Sequence, residues 1–202
     1  MRATKESGNQ SYESVLKRAL VMVVENPRWD FSISDLKKTT GLSTGTLYHH
    51  FPEGAQSVAE ALYARVVAKS KAAILARAEK ARNLDDLVKI LVNNYLQWHE
   101  LNEAESMFIT RSADYSGFSK QSPELQRVQE EFGQRVGTLL SGFFHNESIE
   151  TKISLSIVMS MIFGAAQETV RAWNRNGRQK QEMISIRKTL PLFIISGLRA
   201  AL

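Results

Sequence analysis

The sequence predicts an all-α protein. It reads as an N-terminal three-helix, helix-turn-helix head on residues 1–51, joined by a connecting helix over 55–82 to a larger helical body on 83–202. Three observations predict it. Apolar residues recur at spacings of three and four along most of the chain. No segment alternates apolar and polar residues long enough for a half-buried strand. Gly, Pro and Asn fall where short helices need to stop. A chain of 202 residues can bury a substantial core without disulfides or metals.

Val15, Leu16, Ala19, Leu20 and Val23 follow helical spacing, and Asn26-Pro27 stops that first, short helix. After a link carrying Trp29 and Phe31, Ser32 stands three residues before Asp35, which is a capping pattern for a second short helix ending near Thr40. Gly41 suits a left-handed C-terminal cap, Leu42 is expected to be buried, and Ser43 is placed to cap a third helix through His50. Pro52 and Gly54 close it. Residues 55–81, AQSVAEALYARVVAKSKAAILARAEKA, hold good helix formers with no Pro or Gly, so one long helix is expected.

Helical patterns continue over 84–101 and 104–113, followed by the longest expected loop at 115–123. Leu125, Val128, Phe132, Val136, Leu139, Leu140 and Phe143 then form a clean one-sided stripe. Residues 151–173 are apolar almost all round, which predicts a helix covered on several sides. The last segment, 179–202, carries Pro191, where a kink is expected.

Composition excludes several chemistries. With no Cys there is no disulfide framework, thiolate metal site or cysteine nucleophile, and nothing in the sequence calls for a cofactor. The N-terminus lacks a signal-peptide apolar region and the run 190–195 is far too short to span a membrane, so a cytoplasmic protein without membrane contact is expected. On that reading the glycosylation patterns at Asn9 and Asn146 carry no meaning.

The net charge is +5, and its distribution is uneven. Residues 1–82 hold 13 Lys and Arg against 8 Asp and Glu, whereas residues 83–202 hold 13 of each. Excess cationic charge confined to one end is what a polyanion-binding unit needs, although part of it also fits a solvated helix face. A helix, a Gly-containing turn and a second short helix over 33–50 make a helix-turn-helix, whose second helix can lie in a major groove. Ser43, Thr44 and Thr46 put small hydroxyls at that helix's N-terminus, Gly45 permits close approach, and Tyr48, His49 and His50 add longer donors. Leu47 and Phe51 are expected to face the core.

Residues 31–52, FSISDLKKTTGLSTGTLYHHFP, and above all GLSTGTLYHHFP, resemble the helix-turn-helix of TetR-family repressors. The likeness is close over residues 11–65 and elsewhere extends only to the order of helices. The resemblance implies that Thr44 and Thr46 lie near bases, Tyr48 and His49 contact phosphate, and Ser32 is a capping or phosphate group. One position departs from the family pattern. Members commonly carry a Lys just after the Phe-Pro turn, where this chain has Glu53, Gly54, Ala55 and Gln56, with Gln56 as the stand-in.

The resemblance further implies a repressor. Two subunits would set their third helices in successive major grooves, about 34–36 Å apart, on a near-palindromic operator of double-stranded DNA. A small apolar or amphipathic effector bound in the body would release it. Trp98, Met107, Phe108, Phe163 and Trp173 are the candidate pocket lining, with Arg111, Gln167 and Arg171 as polar groups beside it; core packing and surface exposure are the competing readings. A homodimer is expected through the last two helices. Ile153, Ile157, Met161 and Ala165 form one stripe and Val158, Ile162 and Ala166 the next, with Phe193, Ile194 and Leu198 on the last helix supplying matching area.

Two other readings compete. A helical DNA-binding protein without an effector, architectural or for division control, would have a sealed body. Gly41-Leu42-Ser43-Thr44-Gly45 also matches the serine-hydrolase nucleophile elbow, with Asp114 and His145 following in order. That elbow needs a buried strand before its Ser, and residues 35–40 are polar and helical in pattern, so the chain is read as no enzyme. His99 beside Glu100 and the lone His145 lack metal-ligand spacing.

Overall fold

The structure, a computed structural model, describes residues 2–26, 31–112, 122–146 and 153–202. Among the described residues the chain is all-α. The helices are α1 (Arg2–Glu25), α2 (Ile33–Thr40), α3 (Thr44–His50), α4 (Ala55–Leu75), α5 (Leu84–Leu101), α6 (Glu103–Ser112), α7 (Pro123–Asn146), α8 (Leu155–Arg175) and α9 (Lys180–Ala201), with a 3₁₀ turn at Ala78–Lys80. Trp29, Asp114 and most of the loop expected at 115–123 lie outside the described residues. No helix among the described residues is long and apolar enough to cross a membrane.

The chain divides into two compact units, Met1–Val67 with Met107–Gln126, and Ala68–Ser106 with Arg127–Leu202. In the first, α1 packs on α2 and α2 on α3. Their shared core is built from Val15, Leu16, Ala19, Val23, Leu36, Leu47 and Phe51, all buried. The first helix is far longer than its apolar pattern suggested, because residues before Tyr12 continue the helix without an apolar stripe of their own.

The second unit packs α5 against α8 and α9, and α8 against α9. Leu87, Leu91, Val92, Leu96, Val136, Leu140, Val158, Ile162, Val170 and Leu198 form its core. One sequence expectation is corrected here. Helix α4 stops at Leu75 rather than near 82, and Arg77 turns left-handed at φ 64°. The side chain that ends it comes from α5: Asn94 Nδ2 donates to the carbonyls of Ile74 at 3.1 Å and Ala76 at 2.7 Å. Helix α8 packs against both α5 and α9, while Ser156, Ser160, Gly164, Gln167 and Glu168 are exposed on its remaining side. Helix α9 runs without interruption through Pro191.

The Asn94 cap has a measurable price in stability. Two carbonyls at a helix end lose their donors in Asn94→Leu, so we expect a loss of about 2 kcal/mol, seen as a lower denaturant midpoint with an unchanged slope.

Candidate functional site

The helix-turn-helix is held in shape by local bonds that use up some of its polar groups. At the start of α2, Ser32 Oγ accepts from Asp35 N at 3.1 Å and donates to Asp35 Oδ2 at 2.6 Å, while Asp35 Oδ2 accepts from Ser32 N at 3.2 Å. These bonds from Ser32 hold the Asp35 carboxyl below its ordinary value. At the other end, Gly41 takes φ 70° and its N–H donates to Lys37 O, a geometry that costs any residue with a Cβ. Thr40 Oγ1 also donates to Leu36 O, at 2.6 Å.

Ser43 caps α3. Its Oγ accepts from Thr46 N at 3.0 Å and pairs with Thr46 Oγ1 at 2.8 Å. Leu47 and Phe51 are buried as expected, with Tyr12 of α1 stacked on Phe51 at 5.1 Å between ring centroids. Leu42 is only half-buried. The residues left facing outward are Thr44, Gly45, Tyr48 and His49, with Tyr48 48 % exposed. Gly54 turns the corner before α4 at φ 67°, a backbone angle that favours glycine; an added Cβ would stand 3.7 Å from the Tyr48 ring and 3.4 Å from Ile33, both ordinary contact distances. Lys37 and Lys38 on α2 are exposed too, and were not singled out from the sequence. Gln56 Nε2 donates to Glu60 Oε1 at 2.7 Å.

The arrangement separates two jobs. Ser32, Ser43 and Thr46 make the caps, and Thr44, Gly45, Tyr48 and His49 present one exposed edge of a short helix. Such an edge, small hydroxyl and bare backbone at one end and aromatic donors at the other, can touch base edges and phosphate. The run 41–45 joins two helices, so Ser43 occupies a cap and not a strand-to-helix elbow; His145 is exposed on α7.

The other candidate residues fall apart by unit. Met107, Phe108 and Arg111 belong to the first, where Phe108 is buried against Tyr63 at 6.1 Å and Arg111 is exposed. Trp98, Phe163, Gln167 and Trp173 belong to the second. Gln167 is exposed, whereas Trp98 and Trp173 are buried, and Trp173 Nε1 donates to Gln179 O at 3.0 Å. Phe163 packs near Phe132 at 5.4 Å and Tyr95 at 6.5 Å. Lys71, which sequence reading passed over, sits with its ammonium 3.9 Å above the Phe132 ring. Its only signal in the sequence is a cation at a position otherwise suited to an apolar residue.

Of the residues expected at a dimer interface, Val158, Ile162, Ala166, Ile194 and Leu198 are buried inside a single chain, and Ala165 is half-buried. The large apolar groups of α8 and α9 that do reach the surface are two of those expected there, Ile157 on α8 and Phe193 on α9, together with Ile184 and Leu192 on α9. The unbroken apolar run 190–195 was the available signal, because consecutive apolar residues on a helix cannot all face one core.

No family model matches the chain. A curated relative, the fatty acid metabolism regulator protein of Bacillus subtilis (strain 168), is 19 % identical over 203 residues, covering 93 % of this chain and 95 % of that protein. Among solved structures, the fatty acid degradation regulator FadR from Bacillus halodurans superposes with a TM-score of 0.73 at 16 % identity, covering 91 % of this chain and 93 % of the other. FadR from Bacillus subtilis, solved with stearoyl-CoA, gives 0.70 at 16 % identity, with 92 % and 98 % covered. A TetR family transcription regulator from Marinobacter aquaeolei VT8 gives 0.67 at 14 % identity, with 95 % and 97 % covered. The chain has the fold of these regulators.

Proposed function

We propose that the protein is a transcriptional repressor that holds a near-palindromic DNA operator as a homodimer and leaves it when an acyl-chain amphiphile binds its body. The observation that carries this reading is the outward edge of α3. Thr44, Gly45, Tyr48 and His49 are exposed together, on a helix whose capping groups are bonded within the motif itself. The effector class is supported by the fold neighbour solved with stearoyl-CoA. An excess of positive charge before residue 83 supports a polyanion partner for the head.

The test is fluorescence anisotropy with the DNA flanking the protein's own gene, against scrambled DNA, at two salt concentrations. Preference for one fragment with a steep salt dependence is expected, followed by its release on adding stearoyl-CoA but not CoA alone. Equal binding to scrambled DNA would remove the repressor reading, and specific binding insensitive to any acyl compound would remove the effector.

Within the head, Tyr48→Phe is expected to weaken every DNA sequence alike, by about 1 kcal/mol or roughly fivefold, because a phosphate contact positions without specifying. Thr44→Ala should instead change the preferred base at one operator position, read by binding to a set of single-base operator variants.

A further inference from the structure

We infer that Lys71 is the anion anchor of the body: its ammonium, seated over Phe132 and beside Phe163, takes the negatively charged head of the acyl-chain amphiphile. The inference rests on the effector reading above and specifies its chemistry.

Lys71 Nζ lies 3.9 Å from the Phe132 ring centroid on α7 and 5.9 Å from that of Phe163 on α8. Among the described residues it makes no ion pair with a carboxylate. Its neighbour on the same helix, Lys69, behaves as a surface lysine does, exposed and 4.0 Å from Glu105. Ring faces attract a cation, yet they replace neither the hydration nor the counter-ion that burial removes. Burial alone lowers the Lys71 amine to about 8, so it still carries its charge near neutrality. A half-buried, unpaired charge of this kind is suited to an anion that arrives from outside.

A second observation points the same way. Arg171 on α8 has its Nε buried with no hydrogen-bond partner, and only its Nη1 edge meets Glu168, at 3.7 Å. Tyr95 on α5 links the two places, with its ring 6.5 Å from Phe163 and its hydroxyl within reach of the Arg171 charge. Phe132, Phe163 and Tyr95 thus form an aromatic run with one cation near Phe132 and another near Tyr95. Phe163 and Arg171 are two turns apart, about 12 Å along the helix, which is the scale of a ligand with an extended apolar body. A hydrocarbon chain satisfies the rings, and an anionic head satisfies Lys71.

Two heads share that chemistry, the carboxylate of a free fatty acid and the phosphates of an acyl-CoA. The experiment separates them. Oleate, oleoyl-CoA and the uncharged oleyl alcohol are titrated calorimetrically into the full-length protein and into Lys71→Met and Lys71→Arg. Lys71→Met is expected to lose about 30-fold or more toward the anionic probe that docks there, since removing one member of a buried charge pair strands the other. Oleyl alcohol should change by no more than about twofold, and Lys71→Arg should stay within roughly threefold of the unmodified protein. Which anion loses affinity identifies the head. Lys71→Met should melt no lower than the unmodified chain, because it removes an unpaired, half-buried charge; Lys71→Gln serves if the Met variant does not fold. Unchanged affinity of Lys71→Met for both anions, or an equal loss for oleyl alcohol, overturns the anchor while leaving the effector intact. If none of the three probes binds the unmodified protein, the effector reading falls and the anchor falls with it.

Discussion

Phe193→Glu is expected to give a folded monomer that no longer holds operator DNA. Phe193 is 79 % exposed in the single chain, and Leu192, also on α9, is 55 % exposed. Ile157 on α8 is half-exposed. Met161 of α8 reaches within 3.7 Å of where a Cβ on Gly197 of α9 would stand, so α8 and α9 lie side by side at this place. In the proposed homodimer, two copies of such a pair would make a four-helix interface with Phe193 as its aromatic anchor. A carboxylate there must be desolvated or excluded, so the dimer should weaken by at least about 3 kcal/mol, more than 100-fold. On the proposed reading two half-sites would then be bound independently, and operator affinity should collapse. Ile162→Glu is the contrasting variant: fully buried in one chain, it should unfold the protein at every concentration. Sedimentation of Phe193→Glu as a dimer at micromolar concentration would refute the interface.

A second large effect concerns acid. His99 on α5 is buried between the rings of Tyr95, at 4.5 Å, and Trp98, at 4.9 Å, with Nδ1 bonded to Ser106 Oγ at 2.9 Å. Arg178 lies beside it, donating to the His99 carbonyl at 2.9 Å while its guanidinium covers Trp173 at 4.1 Å. Burial first, and the Arg178 charge second, push the imidazole down to about 3. Between pH 6.5 and about 3 the unfolded chain therefore binds a proton that the folded chain refuses. The contribution is fully present above 6.5 and is lost as pH falls, at about 1.4 kcal/mol per pH unit. Chemical unfolding across this window should show that slope for the unmodified protein and a flatter one for His99→Gln. Parallel curves for the two proteins would mean that His99 takes up its proton in the folded state.

What the sequence revealed was local in origin. Ser32, Asp35, Gly41 and Ser43 act within four residues of themselves, and so α2, the turn and α3 could be placed almost to the residue. The end of α4 could not, because good helix formers run on past Leu75 and the group that stops them, Asn94, comes from the next helix. The apolar faces of α8 show the same limit. Spacing separates the stripe of Val158 and Ile162 from that of Ile157 and Met161, but which stripe meets the chain's own core depends on α5 and α9. Lys71 showed in the sequence only as a cation at an apolar position, for a third reason: only the fold brings Phe132, sixty-one positions away, beneath its ammonium.

The division of labour around α3 also says how such a head can change its target. Ser43 and Thr46 are bonded to each other, Ser32 to Asp35, and Gly41 supplies a backbone angle, so substitutions at these five positions alter the shape of the motif itself. Thr44, Gly45, Tyr48 and His49 carry no such duty. On the proposed reading, a library that randomises these four and fixes the five should keep the scaffold while it samples new operators, and a lineage drifting under the same physics would diverge first at the same four.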